Sequence, residues 1–456
     1  MRRQLKELAQ WLNADGQMLE NSIVTGVSID TRTIAPGDLF IPFRGEQVNG
    51  HRFVRQAFEK GAAASLWLKD EPDAPQDLPL IFVDDAEKAL QQIAKSYRYL
   101  LDCKIIGVTG SNGKTSTKDL IAGVLSPHFK VKKTEGNFNN ELGLPLTLLS
   151  LEEDTEVAVL EMGMSGFGEI SFLSEMAEPH FAVITNIGEA HMQDLGSREG
   201  IAKAKFEIID GLQDGGILFY DGDEPLLKPF VESANGLFSV SFGHQNGLDL
   251  SITDLYASDE GSRFTISGKV NGTFTIPVYG SHQVKNALAA ILIANELGMT
   301  ADQIRESLKN CRLTDMRMQP VLADNGALYI NDAYNAAPTS MSAALNFLKE
   351  TALRSEKWVV LGDMLELGDD ERYYHESIAD QLGTLSLNGI LLYGPRMKWL
   401  FEKLQQSGQP NVYWSETDIE PIVNVLSKDT NENSIVLLKG SRGVELERVL
   451  DGMLAK

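Results

Sequence analysis

The sequence predicts an α/β protein of three domains: a small α/β N-terminal domain, a central domain with a mostly parallel sheet, and a C-terminal Rossmann-like α/β domain. Three observations carry this. The chain has 456 residues, and roughly 150 residues per domain gives about three. Strand candidates alternate with helical stretches over most of its length, the rhythm of a parallel sheet. A strand at 104–108 opens directly into a Gly-rich turn and a helix. The boundaries are expected at 1–100, 101–314 and 315–456.

In order along the chain, 39–43 and 81–85 are expected strands, with helices over 53–64, where apolar residues recur at helical spacing, and 86–100. In the central unit, strands are expected at 104–108, 157–160, 182–185 and 216–220. A Gly-, Ser- and Thr-rich insertion at 249–279 predicts antiparallel hairpins before a helix at 282–297. A turn at 313–320 opens the third unit, with strands at 328–330, 358–361, 390–393 and 435–438 and a last helix over 443–454. No internal repeat or low-complexity linker interrupts them.

Composition narrows the function. With 43% hydrophobic and 23% charged residues, the chain is neither disordered, collagen-like nor a disulfide scaffold. A net charge of −23 repels phosphate backbones, which argues against nucleic acid as a partner and requires any anionic ligand to have a local pocket. Cys103 and Cys311 are the only cysteines and lack metal-type spacing, so buried thiols in a reducing cytoplasm are expected. Charges thread through the apolar residues of the first ten positions, predicting a helix and no export signal. No run reaches the ~18 apolar residues of a membrane span, so no membrane insertion is expected.

The stretch Thr109-Gly-Ser-Asn-Gly-Lys-Thr-Ser116 is the most informative. Gly110 and Gly113 permit the positive φ of a tight loop, and the helix beginning near Lys114 offers free N–H groups to an anion, as do Ser111 and Asn112 before it. Lys114 can reach terminal phosphates and the Thr115 hydroxyl can ligate Mg²⁺. A full P-loop string asks for Gly where Val108 stands; a shortened form remains. The prediction is a nucleoside triphosphate site, against the plainer reading of a structural turn.

Downstream, Asn137, Asn139 and Asn140 crowd a Gly-bounded loop, either as backbone caps or as a polar substrate surface. Glu161 ends a strand beside the phosphate loop, where an open α/β sheet places a Mg²⁺ ligand. His191 follows the next strand, and a lone His is more often structural than a ligand. Lys203 and Lys205 share a helix and, taken alone, are surface lysines.

Together, Thr109-Gly-Ser-Asn-Gly-Lys-Thr115, Gly136-Asn-Phe-Asn-Asn140, Leu160-Glu-Met-Gly163, Ile187-Gly-Glu-Ala-His191 and Ala202-Lys-Ala-Lys-Phe-Glu-Ile208 resemble the Mur ligase family. These are ATP-dependent amide-bond ligases of peptidoglycan precursor synthesis in the bacterial cytoplasm. The resemblance runs in order over essentially the whole chain. It implies ATP and two Mg²⁺ ions, with Lys114, Glu161, His191 and Lys205 catalytic. Thr115 and Glu161 would hold one metal. His191 and a carbamylated Lys205 would hold the other, with Lys203 the alternative site of carbamylation. In Gly280-Ser-His-Gln-Val-Lys-Asn-Ala287, His282 and Asn286 match the family's nucleotide segment, while Gln283 replaces its usual Asn.

The end domains resemble particular members. Ser28-Ile-Asp-Thr-Arg-Thr33 and Pro36-Gly-Asp-Leu-Phe40 are similar to a domain that holds the UDP end of the substrate, which implies roles for Thr31 and Arg32. Asn331-Asp-Ala-Tyr-Asn-Ala-Ala-Pro338 and Val360-Leu-Gly-Asp-Met-Leu-Glu-Leu-Gly368 resemble the type that adds D-alanyl-D-alanine to UDP-N-acetylmuramoyl-tripeptide, and the Asp-Asn-Pro-Arg string of the diaminopimelate-adding type is absent. Ala337 stands where the family often has Asn. The resemblance places Asp332 and Tyr334 beside the nucleotide and Arg317 on the triphosphate. Lys439 and Ser441 either hold the incoming dipeptide or form a structural turn. A monomer is expected. Two other readings stay open within the chemistry, the tripeptide-forming ligase and folylpolyglutamate synthetase, and one outside it, a non-catalytic nucleotide-binding regulator.

Overall fold

Three parallel-rich sheets organise the chain. The computed structural model describes residues 1–20, 22–189, 192–258 and 260–454; His191 lies outside the described residues. The N-terminal sheet runs in the order Gly16–Gln17, Leu80–Val83, Ala64–Leu68, Asp38–Phe40, Gly26–Ser28. Its last four strands are parallel. The helix expected over 53–64 is shorter. A 3₁₀ turn at Gly50–Phe53 leads into Val54–Glu59, and Gly61 at φ +106° ends it. Ala64–Leu68 is a strand buried at every position. The alanines at 62–64 favour a helix locally, but burial in the sheet overrides that preference.

Among the described residues, the central sheet has nine strands. Lys104–Thr109 lies between Val157–Glu161 and Phe181–Ile184, parallel to both. The chain therefore leaves this strand to one side first and then to the other. The crevice at such a reversal, beyond the strands' C-terminal ends, is where open α/β sheets bind ligands. Val131–Lys133, Ile217–Asp221 and Phe238–Gly243 extend the parallel set. The hairpins expected at 249–279 are the strands Leu250–Ser258, Gly261–Gly268 and Gly272–Ile276, antiparallel to one another. Helix Ser281–Glu296 packs on helix Lys114–Leu125, and Val284, Leu288, Ile291, Leu120, Ile121 and Val124 are fully buried in one shared apolar core. Truncating one such leucine to alanine costs about 2–5 kcal/mol.

In the C-terminal sheet, Leu328–Asn331, Ser434–Lys439, Glu356–Gly362, Gly389–Tyr393 and Val412–Ser415 are parallel, and Gln319–Leu322 adds an antiparallel edge. The last helix is Glu447–Leu454, not 443–454: a 3₁₀ turn at Arg442–Val444 precedes it and Glu445 adopts φ +53°. Cys103 and Cys311 are buried and unpaired. Burial raises both thiols, Cys311 to about 12. Among the described residues, no helix is long and apolar enough to cross a membrane.

Candidate active site

Strand Lys104–Thr109 delivers the chain to the sheet's reversal point. Thr109 is fully buried, and its hydroxyl donates to the Met162 carbonyl at 2.9 Å. Gly110 then takes φ +149° and Gly113 +81°. A Cβ on Gly110 would stand 1.8 Å from Thr185 Oγ1, and one on Gly113 2.7 Å from Asn286 Oδ1. Neither position admits a side chain. Between them the loop is clamped from the next strand. The Asn186 amide accepts the Asn112 N–H at 2.9 Å and donates to its carbonyl at 3.1 Å, and the Thr185 hydroxyl donates to that carbonyl at 2.6 Å. Lys114 Nζ folds back to donate to the Gly110 carbonyl at 2.9 Å. No side chain caps the helix that begins at Lys114, so its free N–H groups and positive dipole end face the crevice.

Glu161 is the hub. Its Oε2 accepts from the Thr115 hydroxyl at 3.0 Å and its Oε1 from Asn139 Nδ2 at 2.9 Å. Arg317 Nη2 crosses from the C-terminal domain to donate to the same Thr115 oxygen at 3.1 Å. The Glu161 carboxylate is only 4% exposed, with Lys118 Nζ 3.9 Å away. A buried carboxylate, a hydroxyl and an amide oxygen nearby form a hard-oxygen donor set of the kind Mg²⁺ prefers.

Two cavities open here. The first, about 480 Å³, runs from the phosphate loop (Ser111 to Ser116) past Asn137 and Asn139 to the C-terminal domain, which contributes Arg317, Asp332, Tyr334 and Lys439. His282 and Asn286 line its other wall. Asn286 Nδ2 donates to Gln283 at 3.2 Å, so the Gln at the departing position orients the Asn that matches. His282 Nδ1 is buried with no hydrogen-bond partner among the described residues, and burial holds its pKa below the usual histidine value. The second cavity, about 770 Å³, is lined by Asn140, Glu141, Gly163, Phe167, Phe172 and Lys205 among others. Both include Lys114 and Asn139, so these two side chains stand where the cavities join.

Lys205 is 2% exposed, and no hydrogen bond or ion pair engages its Nζ among the described residues. Burial, and then the Lys114 charge, depress its pKa well below that of an ordinary lysine. Lys114 is depressed by burial too, with Glu161 opposing and Arg317 adding to the shift. Lys203, two residues earlier, is exposed and rests its ammonium 5.8 Å from the Phe167 ring centroid.

Thr31 and Arg32 sit apart from the cavities, and Asn140, Lys439 and Ser441 have partners within the protein. Arg32 is exposed and forks onto Asp30 at 2.6 Å, and the Thr31 carbonyl accepts from Lys60 at 2.8 Å; neither lines these two cavities. Asn140 Oδ1 accepts the Gly143 N–H at 2.9 Å. Lys439 is buried and paired with Asp332 at 2.6 Å. Ser441 Oγ accepts the Leu365 N–H at 2.9 Å. Residues that sequence reasoning missed include Asn186, Thr134, whose hydroxyl accepts the Glu161 N–H at 2.9 Å, and Lys118, which donates to the Thr134 carbonyl at 2.8 Å. Lys118 had a signal: it follows Lys114 by four and shares its helix face.

Comparison with known proteins identifies the family. Family models described as the Mur ligase family catalytic domain, the Mur ligase middle domain and the Mur ligase glutamate ligase domain match residues 23–98, 108–294 and 316–442. A UDP-N-acetylmuramoyl-tripeptide--D-alanyl-D-alanine ligase of Bacillus subtilis is 42% identical, covering 100% of this chain and 99% of its own. A crystal structure of MurF from Acinetobacter baumannii superposes with a TM-score of 0.89 at 28% identity, over 100% of this chain and 99% of the other. A MurF ligase from Thermotoga maritima in complex with ADP gives 0.84 at 27% identity, over 95% and 97%. With three consecutive family models and a full-length relative in agreement, the chain belongs to the Mur ligase family.

Proposed function

We propose that this protein is an ATP-dependent ligase that joins D-alanyl-D-alanine to UDP-N-acetylmuramoyl-tripeptide in peptidoglycan precursor synthesis. One observation carries the chemistry: the nucleotide-type cavity and the cavity holding Lys205 meet at Lys114 and Asn139. A γ-phosphate seated on the loop then faces an acceptor carboxylate across a single junction. The identity of the two substrates follows the 42%-identical ligase of Bacillus subtilis.

A carboxylate is a poor electrophile because its charge repels nucleophiles. Its oxygen attacks the γ-phosphorus, the bond to the β-bridging oxygen breaks, and ADP leaves an acyl phosphate. The dipeptide amine attacks the acyl carbon, the amine proton is lost, and inorganic phosphate departs. Positioning and charge neutralisation dominate such a transfer. Lys114 and the helix N-terminus receive the phosphates, Arg317 approaches from the facing domain, and Asn139 orients groups at the junction. The burial of Glu161 and Lys205 keeps water from the acyl phosphate.

Thr115 and Glu161 fit a Mg²⁺ ion as hard oxygen donors lining the nucleotide cavity. Lys205 fits carbamylation: burial and the Lys114 charge favour its neutral amine, which can add to CO₂, losing a proton, to give an anion that would hold a second metal with His191. Bound Mg²⁺ would offset charge on the triphosphate and the acyl phosphate.

The test is mass spectrometry after incubation with ATP, UDP-N-acetylmuramoyl-tripeptide and D-alanyl-D-alanine. The expected products are the pentapeptide, ADP and phosphate in equal amounts. Phosphate release that requires a folate acceptor, or ATP binding with no amide product, would refute the reading.

A further inference from the structure

Arg317 is flanked by two residues whose backbone is left-handed: Met316 at φ +62° and Met318 at φ +55°. Positive φ is found in only a few per cent of non-glycine residues and costs least in Gly, Asn or Asp. Two methionines doing this within three residues require the surroundings to impose it.

The surroundings do so at every position. Upstream, the Thr314 N–H and hydroxyl both donate to Asp119 Oδ2, at 2.8 and 2.6 Å. Asp119 lies on the helix that begins at Lys114, and its other oxygen accepts from Lys133 at 2.7 Å. Burial pushes the Asp119 carboxyl upward, but Lys133 and Thr314 outweigh it and hold it below the ordinary value, so it stays an acceptor. The Met316 N–H donates to Gln319 Oε1 at 3.1 Å, and its carbonyl accepts the Tyr334 N–H at 3.2 Å. The Met318 N–H donates to Asp332 Oδ1 at 3.1 Å. Between these anchors the Arg317 guanidinium lies 4.1 Å from the Tyr334 ring centroid and reaches the Thr115 oxygen at 3.1 Å.

We infer that Met316 and Met318 are positioning residues: their left-handed backbone, pinned by Asp119 through Thr314 and by Asp332, turns Arg317 out of its own domain and onto the terminal phosphate held by the facing one. Asp119 sits one helical turn past Thr115, so the helix that presents the phosphate site also anchors the segment that brings the arginine to it. The inference rests on the nucleotide site of the ligase reading, but not on the identity of the acceptor.

The test therefore reads nucleotide affinity and not ligation. The ratio of affinities for a non-hydrolysable ATP analogue and for ADP, measured by calorimetry, isolates the terminal phosphate. Met316→Asn, which tolerates the left-handed conformation, should leave that ratio within about twofold. Met316→Val, which resists it, should lower the ratio about tenfold with little change for ADP. Arg317→Ala should lower the ratio as well, and adding Met316→Val to it should lower it no further. A merely structural role would lower affinity for both nucleotides alike. Should Met316→Val fail to fold, Thr314→Val removes the hydroxyl donor at nearly constant volume and should show the same dependence on Arg317. A ratio unchanged by the valine substitutions, or one that falls by the same factor with Arg317 already removed, overturns the inference. Failure to form any amide product would refute the ligase reading alone.

Discussion

The Thr115 hydroxyl donates to Glu161 Oε2 at 3.0 Å, tying the first turn of the phosphate-loop helix to the end of the neighbouring strand. Glu161→Gln keeps the hydrogen-bonding shape and removes the charge. Ligation should fall about 100-fold or more, with the Mg²⁺ concentration for half-maximal rate rising, because a carboxylate at a metal–phosphate site acts mainly through its charge. Initial rates across a Mg²⁺ series check this. An unaltered Mg²⁺ dependence in the variant would remove Glu161 from the metal site.

Lys205 and Lys203 make a matched pair for the carbamylation proposal. Lys205 is buried and its pKa is depressed, chiefly by that burial and then by Lys114, which favours the neutral amine that CO₂ requires. Protein equilibrated with ¹³C-bicarbonate should give a carbamate carbon resonance that Lys205→Ala abolishes and Lys203→Ala retains. Ligation should fall with Lys205→Ala and survive Lys203→Ala. The opposite pattern would move the modification to Lys203; a resonance unaffected by either would place it elsewhere.

Acid should loosen the central sheet through His180. Its Nδ1 accepts the Ile105 N–H at 3.2 Å, a role only the neutral ring can fill. Burial, followed by the charges of Lys104 and Arg98, lowers its pKa to about 4 from 6.5. The folded value lies below the unfolded one, so the unfolded chain binds the extra proton between them. Stability is then full above pH 6.5 and declines as pH falls toward 4, by at most about 1.4 kcal/mol per pH unit. Melting temperatures between pH 7 and 4.5 should fall more gently in His180→Gln; identical slopes would exclude His180 as the source.

Gly110 should be the least replaceable residue of the loop. A methyl there meets Thr185 Oγ1 at 1.8 Å, whereas at Gly136 nothing lies within 4 Å. Gly110→Ala should lower the melting temperature by several degrees and abolish detectable ATP binding, because Thr185 must abandon the Asn112 carbonyl. Gly136→Ala also bears a positive φ and should cost only about 1 kcal/mol. Calorimetric titration with ATP on both variants distinguishes steric blockage from general backbone strain.

What could be read from the sequence was local. The strand, the glycines, Lys114 and Thr115 fall within a dozen residues, so their chemistry is legible from spacing alone. Glu161 was legible as the end of a strand. The Asn186 clamp was not, because it depends on a loop 74 residues away. Lys439 shows the same limit. It pairs with Asp332, 107 residues distant, a partner that spacing along the chain does not reveal. Ala64–Leu68 was obscured for another reason: the alanines at 62–64 that lead into it favour a helix locally, and only the sheet on either side makes the segment from Ala64 a strand.

The acyl phosphate can be traced atom by atom. UDP-N-acetylmuramoyl-tripeptide labelled with ¹⁸O in its terminal carboxylate, turned over with ATP and D-alanyl-D-alanine, should pass one labelled oxygen into each inorganic phosphate, because the oxygen that attacked the γ-phosphorus leaves with it. Mass spectrometry of the released phosphate reads this directly. One ¹⁸O per phosphate and per amide bond formed is the predicted result; amide formation with unlabelled phosphate would contradict it.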